Sequence, residues 1–231
     1  MNDFIEVKAG DRSFKVYCVL PGRTPAPAVV VLHEIFGIND DMKETCHWLA
    51  SRGFIALCPD LFWRDAPGLS LSSWSESEWK RGLELYQAYD RNVGVTDIGL
   101  VVDAGRTMKE ATGKVGVMGY CLGGLLTFLT AARKGADAAV CYYGGETDKY
   151  VNESGAIRTP MLMHMGENDE FIPPPARQKI VDSVKSNQHV QVFTYPGCMH
   201  AFARNTGTHY DATAATSANE RTATFFKSLL I

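Results

Sequence analysis

No stretch of this sequence approaches the roughly 18 consecutive apolar residues of a membrane-spanning helix. Nor is there an excess of basic charge: the net charge is -3 and the pI about 6.1, which argues against a nucleic-acid or anionic-membrane partner. The opening Met1-Asn2-Asp3-Phe4 carries an acid, and no apolar run follows it, so no export signal is expected. The six cysteines (18, 46, 58, 121, 141 and 198) are scattered, with no Cys-x-x-Cys pair. Without an export signal this predicts free thiols in a reducing cytoplasm rather than a disulfide framework. There is no internal repeat and no low-complexity tract. What remains is a globular balance, 45% hydrophobic and 21% charged over 231 residues, enough for one large domain with a substantial core.

Apolar runs and helical periodicities alternate along the chain. Residues 4–8 and 13–19 predict a hairpin; Val29–Leu32, Phe54–Leu57, 114–118, Ala138–Tyr143, Met161–Met165 and Val190–Tyr195 predict strands. Between them, Met42, Cys46 and Leu49, then Ile98, Val102, Gly105 and Met108, recur at helical spacing. Leu122–Lys134, Pro173–Lys185 and a face of Ala218, Thr222, Phe225 and Leu229 predict three more helices. Such alternation implies a mostly parallel central sheet with helices on both faces, here a single α/β domain over 1–231. Residues 59–77 have no clean period, and Trp63, Trp74 and Trp79 fall in or just after them. This stretch, extended to 59–80, reads either as a lid over a pocket or as a surface excursion held down by its own aromatics.

The most informative run is Gly119-Tyr120-Cys121-Leu122-Gly123, between an apolar strand and a helix. It has the Gly-x-nucleophile-x-Gly pattern of a nucleophile elbow, with cysteine in place of serine. Glycine is expected at both ends because so sharp a turn leaves no room for bulk. The free N–H groups at the helix start favour a thiolate beside them. An acid and a base should follow the nucleophile, each where a loop leaves a strand's C-terminal end. Asp169 sits so after the 161–165 strand, with Glu167 and Glu170 as competitors; His200 sits so after the 190–195 strand. His47, His164, His189 and His209 fit less well, and His164 reads as a satisfied core residue. Glu34, in His33-Glu34-Ile35-Phe36-Gly37, follows a buried strand where the second oxyanion N–H is supplied. Position 37 is glycine, so this is no zinc-binding His-Glu-x-x-His, and neither metal nor cofactor is expected.

From about residue 29 onward the chain resembles the dienelactone hydrolase (carboxymethylenebutenolidase) family. The resemblance is carried by His33 to Asn39, Gly116 to Gly124, Tyr142-Tyr143-Gly144, His164-Met165-Gly166 with Asp169, and His200-Ala201-Phe202-Ala203-Arg204. It implies an α/β-hydrolase fold, a Cys121–His200–Asp169 triad, Glu34 as a carboxylate interacting with the thiol, and Leu122 and Ile35 backbone N–H groups as oxyanion hole. It also implies a substrate carboxylate at Arg204, and Phe36, Tyr86 and Tyr142 as further substrate contacts. A second cationic position of the family falls on Trp79, with Lys80 and Arg81 beside it; Arg81 is the candidate substrate contact, and which of the three occupies the position stays open. The implied reaction is opening of an activated enol lactone, of the dienelactone-to-maleylacetate type in aromatic hydrocarbon catabolism, by a cytoplasmic monomer acting on a small carboxylate-bearing molecule. A broader cysteine carboxylesterase or lactonase, a non-catalytic ligand receptor and a redox cysteine stay open as alternatives.

Overall fold

The computed structural model describes residues 2–231. Its frame is an eight-stranded sheet of order β1-β2-β4-β3-β5-β6-β7-β8. β1 (Asn2–Ala9) and β2 (Arg12–Val19) form the expected hairpin, and β2 pairs antiparallel with β4 (Ile55–Pro59). From β4 through β3 (Ala26–Leu32), β5 (Ala111–Tyr120), β6 (Ala138–Tyr142) and β7 (Met161–Gly166) to β8 (Val190–Tyr195) every pairing is parallel. All seven residues of β3 and all six of β7 are buried, as parallel strands covered on both faces must be.

The helices are α1 (Asp40–Ala50), α2 (Glu76–Ala88), α3 (Arg91–Thr107), α4 (Leu122–Arg133), α5 (Pro174–Val184) and α6 (Ala212–Leu230). Adjacent residues of β5 show how the two faces are covered. A Cβ on Gly105 of α3 would meet Val115, whereas one on Gly116 would meet Phe226 and Leu230 of α6. Successive strand residues face opposite sides, so α3 and α6 lie on opposite faces of the sheet. Every residue of α4 from Leu122 to Ala131 is buried, so the helix that follows the cysteine is fixed all round.

Strand order reverses at β3. The chain leaves β3 for β4 on one side, then returns through α2 and α3 to place β5 on the other. The C-terminal ends of β3 and β5 therefore flank a topological switch point, where open α/β sheets bind ligands. Leu32 stands beside Gly119 in the register, which brings the loops beginning at His33 and Cys121 together.

The 59–80 segment is not uniform. Residues 60–75 have neither helix nor strand beyond one bridge between Ser70 and Gly37. Their first part is fastened: Trp63 stacks on Phe14 at 5.2 Å, and its Nε1 donates to Asp97 at 2.9 Å. Leu71 N–H donates to Phe36 carbonyl at 2.8 Å. The aromatic-anchored alternative describes this part. From Glu76 the chain is helical through Ala88, a helix absent from the elements expected from the sequence, and it takes in the last two residues of the irregular stretch 59–77. Ser75 caps it, accepting from Glu78 N–H. Ser75-Glu76-Ser77-Glu78 has the Ser-x-x-Glu form of a capping box, a signal present in the sequence.

Candidate active site

Cys121 is the first residue beyond β5 and the N-cap of α4, with φ 53° and ψ -113°. A non-glycine residue at positive φ is strained, and such strain persists only where the surroundings enforce it. Here they do. A Cβ on Gly119 would lie 2.2 Å from Gly123 carbonyl oxygen, and one on Gly123 would lie 2.1 Å from Leu32 carbonyl oxygen. The two glycines let β3, β5 and α4 meet backbone to backbone, which forces the turn and lifts Cys121 into the cavity above.

His200 and Asp169 converge on it from the ends of β8 and β7. His200 Nδ1 donates to both Asp169 oxygens, at 3.0 and 2.9 Å, which fixes Nε2 as the nitrogen facing outward from the pair. Asp169 is held in turn by N–H groups of Phe171 (2.9 Å) and Ile172 (3.1 Å). Nε2 is buried and has no fully formed hydrogen bond, and the side chain acting on it is Cys121. Burial works against an imidazolium, but Cys121 and the Asp169 carboxylate outweigh it, and His200 is pushed up to about 10. Of the competitors, Glu167 accepts from Thr194 at the surface, while Glu170 accepts from His200 N–H at 3.2 Å and thus supports its backbone. His164 is a core residue: Tyr195 hydroxyl and Thr222 hydroxyl take its two nitrogens, and burial pulls it down to about 3, so it stays neutral.

Glu34 lies across the cavity from the β7–β8 side, 4% exposed, and accepts from Arg204 Nε at 2.6 Å. Burial disfavours the Arg204 cation, but the carboxylate outweighs that and keeps it charged. Glu34 Oε1 is buried without a partner, and the carboxylate pairs with the arginine rather than with the thiol. Arg204 also lies over the Phe36 ring at 4.9 Å. No backbone carbonyl takes the N–H of Leu122 or of Ile35 among the described residues, so both donors stay free near the nucleophile.

These groups line one cavity of about 420 Å³ that also takes in Ile35, Phe36 and Tyr86. Two expected contacts are not there. Arg81 projects from the other side of α2, exposed and paired with Glu84 at 3.3 Å, while Trp79, Leu83 and Tyr86 face the cavity. At 3.6 residues per turn, positions 79, 83 and 86 share a face that 81 does not. Tyr142 is fully buried, with its hydroxyl on Asn219 and Thr222, so it packs the core. Its neighbour Tyr143 stands at the site instead, edge-on to His200 with ring centroids 5.1 Å apart. The sequence run Tyr142-Tyr143-Gly144 marks the place; the positive φ of Tyr143, just past the end of β6, decides which ring arrives. Phe171, 50% exposed and edge-on to His200 at 4.8 Å, and Leu83 carry no sequence signal of their own beyond nearness to Asp169 and Trp79.

Among the described residues no cluster of His, Cys, Asp or Glu is arranged to hold a metal, and no helix is long and apolar enough to cross a membrane. The model of the dienelactone hydrolase family matches residues 14–230. Over 209 residues the chain is 42% identical to carboxymethylenebutenolidase of Pseudomonas putida, covering 90% of this chain and 89% of the relative. A relative from Azospirillum brasilense, a putative carboxymethylenebutenolidase, is 42% identical over 98% of both chains. The fold matches a crystal structure of a putative dienelactone hydrolase from Klebsiella pneumoniae with a TM-score of 0.88 over 98% of each chain, at 21% identity. On the length and identity of these matches, this α/β-hydrolase-fold chain belongs to the dienelactone hydrolase family.

Proposed function

We propose that the protein opens an activated enol lactone of the dienelactone type through a thioester on Cys121, the chain 1–231 acting as one domain. The carrying observation is the convergence of a strained, pocket-facing cysteine with a His200 oriented by two bonds to Asp169. In this reading the sulfur attacks the lactone carbonyl carbon, and the oxyanion takes the N–H groups of Leu122 and Ile35. Collapse breaks the ring C–O bond, and the enolate leaves with a proton from His200. Water then attacks the thioester, giving its proton to His200, and the thiolate departs. An enolate is a stabilised leaving group, which suits a thiolate; an amine is not, so amide cleavage is disfavoured.

Glu34 and Arg204 give the site a response to charge. A substrate carboxylate at Arg204 competes with Glu34 for the guanidinium. Glu34, with one buried oxygen already unpartnered, then becomes the acceptor for a thiol proton. Support for an ester or lactone as substrate also comes from the carboxymethylenebutenolidases this chain is similar to.

The test is a hydrolysis panel of cis- and trans-dienelactone, neutral lactones and simple aryl esters, run on the native protein and on Cys121→Ala. Turnover of the anionic lactone, lost in the variant with circular dichroism unchanged, is the expected result. A Cys121→Ala protein that keeps native activity, or a native protein inert to every lactone and ester, overturns the reading.

A further inference from the structure

The cavity lining is of two kinds. Cys121, His200 and the Glu34–Arg204 pair are polar and charged. The rest, from α2 and the segment leading into α5, presents carbon: Trp79, Leu83, Phe171, Pro173 and Ala176, with Phe171 edge-on to His200 at 4.8 Å. Phe171 is 50% exposed and Leu83 38%, so two large apolar side chains border the opening with part of their surface in water. Covering apolar surface is favourable at roughly 25 cal/mol per Å², and pockets lined this way are the usual sites for apolar parts of ligands.

Charge points the same way. Two lysine or arginine side chains line the cavity, Arg204 and Lys149. Lys149 is 62% exposed and bonded to Glu146, so its charge is both solvated and answered. Asp148 and Glu170 add carboxylates to the same lining. The buried Arg204 is therefore the one strong anchor for an anion, and a second anionic group away from it would meet carboxylates and carbon.

The apolar wall is also held in place. A Cβ on Gly82 would lie 2.9 Å from Ile35 carbonyl oxygen, so the glycine seats α2 directly on the loop that carries Ile35. Trp79 lies edge-on to Phe36 at 5.4 Å, and Arg91 stacks over Tyr86 at 4.7 Å while bonding Glu146 at 2.9 Å. A wall fixed before binding costs little to order when a ligand arrives.

We infer that the surface formed by Trp79, Leu83 and Phe171 is a subsite for an apolar substituent, with Trp79 and Leu83 as specificity-determining residues. The substrate class is then a monoanionic enol lactone or ester that carries, besides its carboxylate, an aryl or branched alkyl group. This rests on the cysteine hydrolase reading above and narrows it.

The experiment compares kcat/KM on cis-dienelactone with kcat/KM on a phenyl-substituted dienelactone. The native protein prefers the substituted lactone by about ten- to a hundredfold, the scale on which hydrophobic pockets discriminate. Trp79→Ala and Leu83→Ala each bring that ratio toward one, and Trp79→Phe keeps most of it. Leu83 is partly exposed, so its variant stays informative if Trp79→Ala folds poorly. Trp79→Arg reverses the preference by placing a second cation where carbon stood. A native ratio near one, or a ratio that neither alanine variant moves, overturns the subsite while leaving the hydrolase reading intact. Turnover of neither lactone overturns both.

Discussion

The two walls of the cavity are built by different means. The wall of Cys121, Asp169, His200 and Glu34 is made of strand ends, and the sheet register places each of them. The other wall is α2, a helix on no strand's end, seated at the site through Gly82, Trp79 and a fastened loop. In the proposed reaction the first wall carries the chemistry, and in the inferred subsite the second selects what enters.

The largest expected effect tests the first wall. Asp169→Asn should lower kcat by about four orders of magnitude, the scale seen when a triad acid no longer fixes the imidazole tautomer. Circular dichroism should be unchanged. A loss of less than tenfold would mean that Asp169 does not orient His200. Next comes the meeting point of the walls: Arg204→Ala should reduce kcat/KM on an anionic lactone by roughly ten- to a hundredfold, from the 1.5–3 kcal/mol of a charge-assisted bond. A neutral aryl ester should lose much less, and equal losses on the two substrates would dissolve the carboxylate role.

A titration sharpens the same wall. Cys121 is the first of the groups that raise His200 to about 10 against burial. Cys121→Ser removes that sulfur, so the imidazolium loses a favourable partner and its pKa should fall. A nitrogen-15 NMR titration of His200 reads this directly; an unmoved midpoint would place the cysteine too far away to matter. On the second wall, Gly82→Ala pushes α2 from the Ile35 carbonyl by a few tenths of an ångström. It should raise KM severalfold with kcat less affected, and an unchanged KM would show that the seat is not needed. The smallest effect belongs to Arg81→Ala, whose side chain is exposed and turned from the cavity. Removing an exposed ion pair of this kind changes stability by less than about 1 kcal/mol, and kcat/KM should stay within twofold.

The same contrast explains what could be read from the sequence. The proposed triad was legible because apolar runs announce buried strands, and in this sheet the candidate site collects where such runs stop. Cys121, Asp169 and His200 each follow one closely. Tyr142 and Tyr143 mark the limit of that logic. Tyr142 ends β6 and Tyr143 follows it at positive φ, so the backbone turn between them, which composition does not reveal, decides which ring meets His200. Arg81 stays outside for a different reason. The second cationic position fell on or beside Trp79, and the helical period turns Trp79, Leu83 and Tyr86 inward and Arg81 out. The start of α2 was written in its capping box, among serines and prolines that otherwise read as loop.

Arg204 is tethered twice. Glu34 holds its Nε, and two residues later Thr206 is bound to the buried Asp41 of α1 through its N–H at 3.2 Å and its hydroxyl at 2.5 Å. A free arginine side chain carries about 2 kcal/mol of rotamer entropy. Here much of that freedom is surrendered when the chain folds, before any ligand is present. Loosening the remote Asp41–Thr206 tether would therefore appear first as a more unfavourable entropy of binding in calorimetry, in a molecule whose chemical step is still intact.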